Sequence, residues 1–297
     1  MAARLQNRVL LGLASAATAC LGSRALAGAS DLERQNFRGR TVSLRGGVGA
    51  GLGALAAAAL SAVPRRPDGA AQASAATVAV LCATGAGLVD DLDAGKHDGD
   101  APAKGLRGHL GALAHGHVTT GVLKIAVIGG GAAAAGLLLA QDSARLAPRH
   151  PGRVQLLTDA AVRAVIVAGW ANLANLLDLR PGRALKACAL AAAPLALSPD
   201  GLSATGTGLL ACGVVGVATA SAPSDLAENS MLGDTGANAL GALLGSSLAT
   251  HPCPALRATA GAIAVGLVLA SEKVSFSWVI DQTPWLAAID GLGRRRS

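Results

Sequence analysis

The sequence predicts an all-α, polytopic membrane protein, a single bundle of about nine transmembrane helices with a range of eight to ten. Of its 297 residues, 52% are hydrophobic and only 14% are charged, whereas a soluble domain carries about 25% charged residues. The mean hydropathy is +0.47. Aromatic residues make up 2% of the chain and tyrosine is absent. These values argue against disorder, a disulfide scaffold and a soluble nucleic-acid binder.

Nine apolar runs approach the roughly 20 residues that a helix needs to cross a bilayer. The first has an alternative interpretation as a cleaved signal peptide, because Arg4 and Arg8 precede the apolar stretch and Ala25-Leu26-Ala27 follows it. The predictions for the sixth and eighth runs are the weakest. The nine runs cover residues 8–28, 46–64, 70–89, 118–140, 154–177, 184–198, 204–222, 236–250 and 254–271.

Nine spans would place the connections alternately on two sides of the membrane. One side carries 14 of the 25 basic residues, which predicts that it faces the cytoplasm of an inner or plasma membrane. This bias explains the net charge of +7 without nucleic acid. The same side carries 14 of the 18 acidic residues. Acidic residues do not follow the positive-inside rule, so their excess predicts a polar site on the cytoplasmic face.

The whole chain, 1–297, is interpreted as one membrane domain that ends in a cytoplasmic tail at 272–297. Trp278 and Trp285 lie among apolar residues in this tail, and Arg294 to Arg296 follow them. Aromatic and basic anchors are typical of segments that lie on a negatively charged membrane surface. A helix that binds a protein partner is the alternative.

Three motifs lie on the predicted cytoplasmic connections. The first, Gly87-Leu88-Val89-Asp90-Asp91, ends in adjacent carboxylates. In the second, Asn172, Asn175 and Asp178 recur every three residues, so a helix would carry them as a polar stripe. In the third, Asp234 is flanked by glycines. Taken singly, the motifs have structural explanations: a solvated loop, hydrogen bonds between helices, or a turn.

Together these residue types favour phosphoryl transfer between a water-soluble nucleotide and a lipid. Adjacent carboxylates repel unless a cation lies between them, and carboxylate oxygens select Mg²⁺, with Mn²⁺ as a second option. The basic residues Lys104, Arg107 and Lys124 follow the first motif and would complement a diphosphate. Asparagine amides can both donate to and accept from a sugar or a base edge.

The order of an acidic pair, Asn-x-x-Asn-x-x-Asp and Gly-Asp-x-Gly resembles the polyprenyl-phosphate N-acetylhexosamine-1-phosphate transferases. That family includes the phospho-N-acetylmuramoyl-pentapeptide transferases and the enzymes of glycosyltransferase family 4. The resemblance runs from about Asn36 to Gly245 and is specific in the three motifs. It implies Mg²⁺-dependent transfer of a sugar-1-phosphate from a UDP-sugar to a polyprenyl phosphate, with release of UMP, in cell-envelope polysaccharide or peptidoglycan synthesis.

The resemblance also implies roles for particular residues. Asp90 and Asp91 match the acidic pair near the lipid phosphate, with Asp90 as a candidate base or as an acid of the metal site. Asn172, Asn175 and Asp178 match the nucleotide-side motif, and Asp234 matches the aspartate that binds Mg²⁺. The expected partners are the membrane, a polyprenyl phosphate and a UDP-sugar, and the scheme allows for a homodimer.

The chain departs from the family at two points. Pro181 stands where the family has a second aspartate, and a His-rich cytoplasmic motif is absent, since His251 is the only histidine after position 150. These departures favour the alternative, a non-catalytic member that binds polyprenyl phosphate or an envelope or division partner. A small transporter is a third interpretation, which the position of the polar residues on one face disfavours.

Overall fold

The computed structural model describes residues 2–63, 69–93, 111, 119–198 and 206–295. Within these ranges the chain forms eleven α-helices and one short antiparallel hairpin, in which β1 (Glu33–Gln35) pairs with β2 (Thr41–Ser43). The helices are α1 (Ala2–Ala25), α2 (Arg45–Leu60), α3 (Ala70–Asp93), α4 (Thr120–Leu146), α5 (Arg153–Leu177), α6 (Arg183–Ala196), α7 (Thr207–Leu226), α8 (Gly233–Thr250), α9 (Pro254–Ser271), α10 (Phe276–Gln282) and α11 (Pro284–Gly291).

The all-α prediction is confirmed, and helices α1 to α9 coincide one by one with the nine predicted segments. Five of these helices, α3, α4, α5, α7 and α9, are long and apolar enough to cross a membrane. The chain is therefore membrane-like in its architecture. Crossing by α1, α2, α6 and α8, the count of nine and the orientation of the bundle stay predictions.

Polar contacts at both ends of the bundle show that α6 and α7, and likewise α5 and α8, run in opposite directions. At one end the backbone N–H of Gly182, before α6, donates to Asp225 near the end of α7 over 2.5 Å. At the other end Arg163, in the first half of α5, donates to the carbonyl of Ala249, late in α8, over 2.6 Å. All three predicted motifs belong to the first of these ends, which we call the carboxylate end.

Helix α8 occupies the centre of the bundle. Every residue from Thr235 to Thr250 is buried, and α8 packs against α2, α3, α5 and α7. Glycines permit this close packing: a Cβ at Gly245 would lie 2.8 Å from the Cα of Val167 in α5. Small residues let helix backbones approach each other closely. The first turn of α8 is consequently held at a fixed place at the carboxylate end.

Helix α2 approaches both α1 and α8 through glycines. A Cβ at Gly49 would lie 2.5 Å from the carbonyl oxygen of Ala19 in α1, and a Cβ at Gly47 would overlap the carbonyl of Leu232, just before α8. The hairpin that precedes α2 also reaches this region, because the backbone N–H of Met231 donates to the carbonyl of Ser43 over 3.0 Å. The first connection thus packs beside the start of α8.

Candidate functional site

An ammonium group joins two of the predicted acidic residues. Lys124, near the start of α4, places its Nζ 2.6 Å from Oδ2 of Asp234 in the first turn of α8 and 3.2 Å from Oδ2 of Asp90 in the last turn of α3. The three side chains are between 15% and 26% exposed. Two carboxylates from separate helices therefore converge on one cationic position that solvent can still reach.

Asp91 faces the backbone of α8 instead. Its Oδ1 accepts from the N–H of Asp234 over 3.0 Å, and its Oδ2 accepts from the N–H of Thr235 over 2.9 Å and from the Thr235 hydroxyl over 2.6 Å. The first N–H groups of a helix lack partners within the helix and carry partial positive charge. Asp91 therefore caps α8 from α3, and both of its oxygens are committed to that contact.

Glycines on both sides make this cap sterically feasible. A Cβ at Gly87 in α3 would overlap the carbonyl carbon and oxygen of Asp234, so only glycine lets the two helices approach so closely here. Gly233 has a φ of +56°, and a Cβ on it would lie 2.8 Å from Oδ1 of Asp91. The glycines of the first and third motifs thus serve the junction between α3 and α8.

Asp178, directly after α5, approaches the same helix start and accepts a hydrogen bond from the backbone N–H of Gly233. Burial raises the pKa of Asp178 well above its usual range, and the nearby carboxylates of Asp225 and Asp234 raise it further. An acid in such surroundings keeps its proton over a wider pH range or binds a cation or a hydroxyl group.

A cleft of about 240 Å³ opens beside Asp178, between the β1–β2 hairpin and the loop that follows α5. The Arg180 guanidinium lies 4.1 Å from the centre of the Phe37 ring. Glu228 anchors the hairpin, since its carboxylate accepts from Arg38 and from Asn36, each over 2.8 Å. The lining includes Asn36, Phe37, Asp178, Arg180, Asp225 and Glu228.

Asp225 and Glu228 had no predicted role in the site. Asp225 is buried and accepts from the N–H of Gly182, and the Glu228 side chain is only 2% exposed. The sequence feature that could have identified them is their position on the same connection as Asp234, since both belong to the excess of acidic residues on one face. Their position at the cleft depends on the hairpin, which the apolar pattern did not predict.

The predicted asparagine stripe is only partly directed at the site. Asn172 is exposed and Asn175 is half-buried, and within the described ranges neither amide has a hydrogen bond to the acidic residues. Each helical residue advances by about 100°, so Asn172 and Asp178 are separated by about 120° around the helix axis. Lys104 and Arg107, predicted to bind substrate, lie outside the described residues.

The carboxylates of the described residues fit a magnesium ion only if a substrate supplies some of its ligands. In the described parts of the chain, no group of three or more His, Cys, Asp or Glu side chains is arranged to hold a metal. Asp90 and Asp234 offer two carboxylates around the position of the Lys124 ammonium. Mg²⁺ commonly uses one or two carboxylates and completes its shell with substrate phosphates and water, and this arrangement fits that mode.

Comparison with known proteins adds no relative: no family model matches the chain, and no curated protein matches it at a significant level. The resemblance to the transferase family therefore rests on the three motifs alone. Any proposal of a function depends on the geometry around Lys124.

Proposed function

We propose that the protein transfers a sugar-1-phosphate of the N-acetylhexosamine type from a UDP-sugar to a polyprenyl phosphate at the cytoplasmic membrane face. UMP would be the second product, and the pathway would be the synthesis of a cell-envelope polysaccharide or of peptidoglycan. The observation that carries the proposal is the convergence of Asp90, Lys124 and Asp234 at the start of a buried helix. This arrangement of charges suits a diphosphate held at the membrane surface.

In the reaction, an oxygen of the lipid phosphate bonds to the β-phosphorus of the UDP-sugar. The bond from that phosphorus to the oxygen bridging the two phosphates breaks, and UMP leaves with the electron pair. Asp234 and Asp90 would hold Mg²⁺, which when bound neutralises diphosphate charge. Lys124 would contact the phosphates as a compact positive charge. As the candidate base, Asp90 would take a proton from the lipid phosphate.

The cleft beside Asp178 would take the nucleoside. Carboxylates accept hydrogen bonds from ribose hydroxyls in other nucleotide sites, and Asp178 and Asp225 both line this cleft. Phe37 offers a ring for stacking, with Arg180 already against it. In this scheme, the hairpin and Asp178 bind the nucleotide. Asn172 contributes little, because it is exposed and has no hydrogen bond to the acidic residues within the described ranges.

Two observations favour a second candidate, a binding protein without catalysis. Lys124 already pairs with both carboxylates that would hold the metal. The carbonyl of Pro181, where the family has an aspartate, accepts from Arg294 over 2.8 Å. Such a protein would bind polyprenyl phosphate, or an envelope or division partner, without releasing UMP.

The deciding experiment measures UMP release by the purified protein with polyprenyl phosphate, Mg²⁺ and a panel of UDP-sugars. Asp234→Asn removes one carboxylate of the proposed metal site. Asp281→Asn is the matched control, because it makes the same charge change at an exposed position of α10. Release that Asp234→Asn abolishes and Asp281→Asn preserves would support the transferase. If folded protein binds polyprenyl phosphate but releases no UMP with any UDP-sugar of the panel, the result would support the binding protein without catalysis.

A further inference from the structure

The segment after α9 is confined near the membrane by its connections. Helix α9 is one of the five helices that can cross a membrane, and it ends at Ser271, at the carboxylate end of the bundle. Helices α10 and α11 follow with 7 and 8 residues, too few to cross a bilayer. Residues 272–295, which we call the tail, therefore stay on the side of the membrane where α9 ends.

One side of the tail is fixed to the bundle by polar contacts. Arg183, at the start of α6, donates from Nε and Nη2 to the two oxygens of Asp290, each over 2.9 Å, and from Nη1 to Ser277 over 2.8 Å. Arg183 and Asp290 are 4% and 7% exposed. The Lys186 ammonium adds bonds to the carbonyls of Ile289 and Leu292. This side is occupied by the protein itself.

Other side chains of the tail are apolar and uncovered. Trp278 is 62% exposed, Trp285 is 64% exposed and Leu292 is 63% exposed. The chain has only three tryptophans, and two of them are these exposed residues. Large apolar groups exposed together in this way indicate a contact surface. Tryptophan is enriched where a membrane meets water, because its ring is apolar and its N–H is polar.

Basic groups accompany the exposed tryptophans. Lys273, just after α9, and Arg295, beyond α11, are both exposed and lie at the two ends of the tail. Lipid surfaces on the cytoplasmic side carry negative charge and attract basic residues near the membrane. Glu272 and Asp281 are exposed on the tail as well, and their negative charges oppose the attraction of the basic groups to anionic lipid. The contribution of charge therefore needs a test separate from that of the apolar contact.

We propose that the exposed surface of the tail docks on the anionic headgroup region of the bilayer, with Trp278 and Trp285 seated among the lipids. A bilayer suits this surface better than a protein partner, because α9 holds one end of the tail at the membrane boundary and the Asp290 contacts hold the other end to the bundle. The inference depends on the membrane class of the protein and is independent of the proposed transferase activity.

The test uses tryptophan fluorescence of the full chain in vesicles of phosphatidylcholine, with or without phosphatidylglycerol. Trp170→Phe removes the third tryptophan, so that the signal comes from Trp278 and Trp285. We expect lipids brominated near the headgroup to quench this signal more than lipids brominated near the chain ends, and we expect aqueous iodide to quench it weakly. If Trp170→Phe fails to fold, the difference between the unchanged chain and Trp278→Phe/Trp285→Phe provides the same readout.

A second arm tests the charges. Phosphatidylglycerol should shift the emission to shorter wavelength, and Lys273→Gln/Arg295→Gln should remove that shift. Arg149→Gln is the control, because Arg149 is exposed and lies between α4 and α5, at the opposite end of the bundle. Strong iodide quenching without quenching by brominated lipids would overturn the proposal and assign the surface to water or to a protein partner. An unchanged shift in the double variant would overturn the anionic headgroup contact.

Discussion

Lys124 and Asp234 hold opposite charges 2.6 Å apart at the start of the central helix. Asp90 contacts the same ammonium group over 3.2 Å, so Lys124 takes the place that a metal cation would have beside the two carboxylates. A metal and Lys124 would consequently compete for Asp90 and Asp234 unless phosphate groups of a substrate draw Lys124 away. The competition can be measured without any knowledge of the substrate.

Lys124→Gln should make the protein depend on divalent cations. Without the ammonium the two neighbouring carboxylates lose the cation that they share, which should cost roughly 1–3 kcal/mol of the free energy of unfolding. Mg²⁺ should then raise the Tm of the variant more than that of the unchanged protein, as thermal unfolding in detergent with Mg²⁺ or with EDTA would show. An equal response of both proteins would contradict the idea that Asp90 and Asp234 share one cation position.

The two adjacent carboxylates should respond differently to the same substitution. Asp91→Asn removes an acceptor from the start of α8, and the loss of a helix cap costs about 1 kcal/mol. We therefore expect a lower Tm for Asp91→Asn, whereas Asp90→Asn should affect UMP release far more than Tm. Thermal unfolding and turnover of both variants would check this, and a larger Tm loss in Asp90→Asn would contradict the division of roles.

Gly87→Ala should disturb the junction between α3 and α8. The added Cβ would overlap the carbonyl of Asp234, and overpacking of this kind costs about 1–3 kcal/mol. Gly85→Ala is the matched control, because a Cβ there meets open space and alanine favours a helix over glycine by roughly 1 kcal/mol. Thermal unfolding should therefore show opposite shifts for the two variants, and a tolerated Gly87→Ala would contradict the close approach.

The sequence predicted the helices well because each is a long apolar run, a property that is local to the segment. The sequence pattern did not predict contacts between segments that are distant along the chain. Arg8 illustrates this: it is 6% exposed and donates to the carbonyls of Ala196 and Ser198, each over 2.9 Å. These partners lie 188 and 190 residues further along the chain, so no local pattern could show that the Arg8 guanidinium is buried.

The candidate site shows the same division. The motifs predicted that Asp90, Asp91 and Asp234 share a site. They could not show that Asp91, unlike Asp90, accepts from the backbone N–H groups of Asp234 and Thr235, which lie 143 and 144 residues further along the chain. The cleft depends on the hairpin, whose three-residue strands carry too little pattern to be predicted. The recurrence every three residues suggested one polar stripe from Asn172 to Asp178, although a helix turns by about 100° per residue and Asp178 lies beyond the end of α5.

Asp290 makes the attachment of the tail to the bundle sensitive to acid. Burial alone would raise the pKa of Asp290, but hydrogen bonds from Arg183 and Arg294 and their positive charges outweigh it, so the pKa lies below the usual value. A lowered pKa in the folded state means that the ionised carboxylate stabilises docking above the ordinary aspartate pKa of about 3.9. This contribution is lost as the pH falls through the lower folded value.

Acid should therefore release the tail from the bundle. The fluorescence of Trp278 and Trp285 in the Trp170→Phe background should report the loss, because both rings belong to the segment that Asp290 holds. Asp290→Asn should abolish this acid transition and show the released signal at neutral pH, whereas Asp281→Asn should retain the transition, since Asp281 is exposed. A transition that persists in Asp290→Asn would show that another group holds the tail.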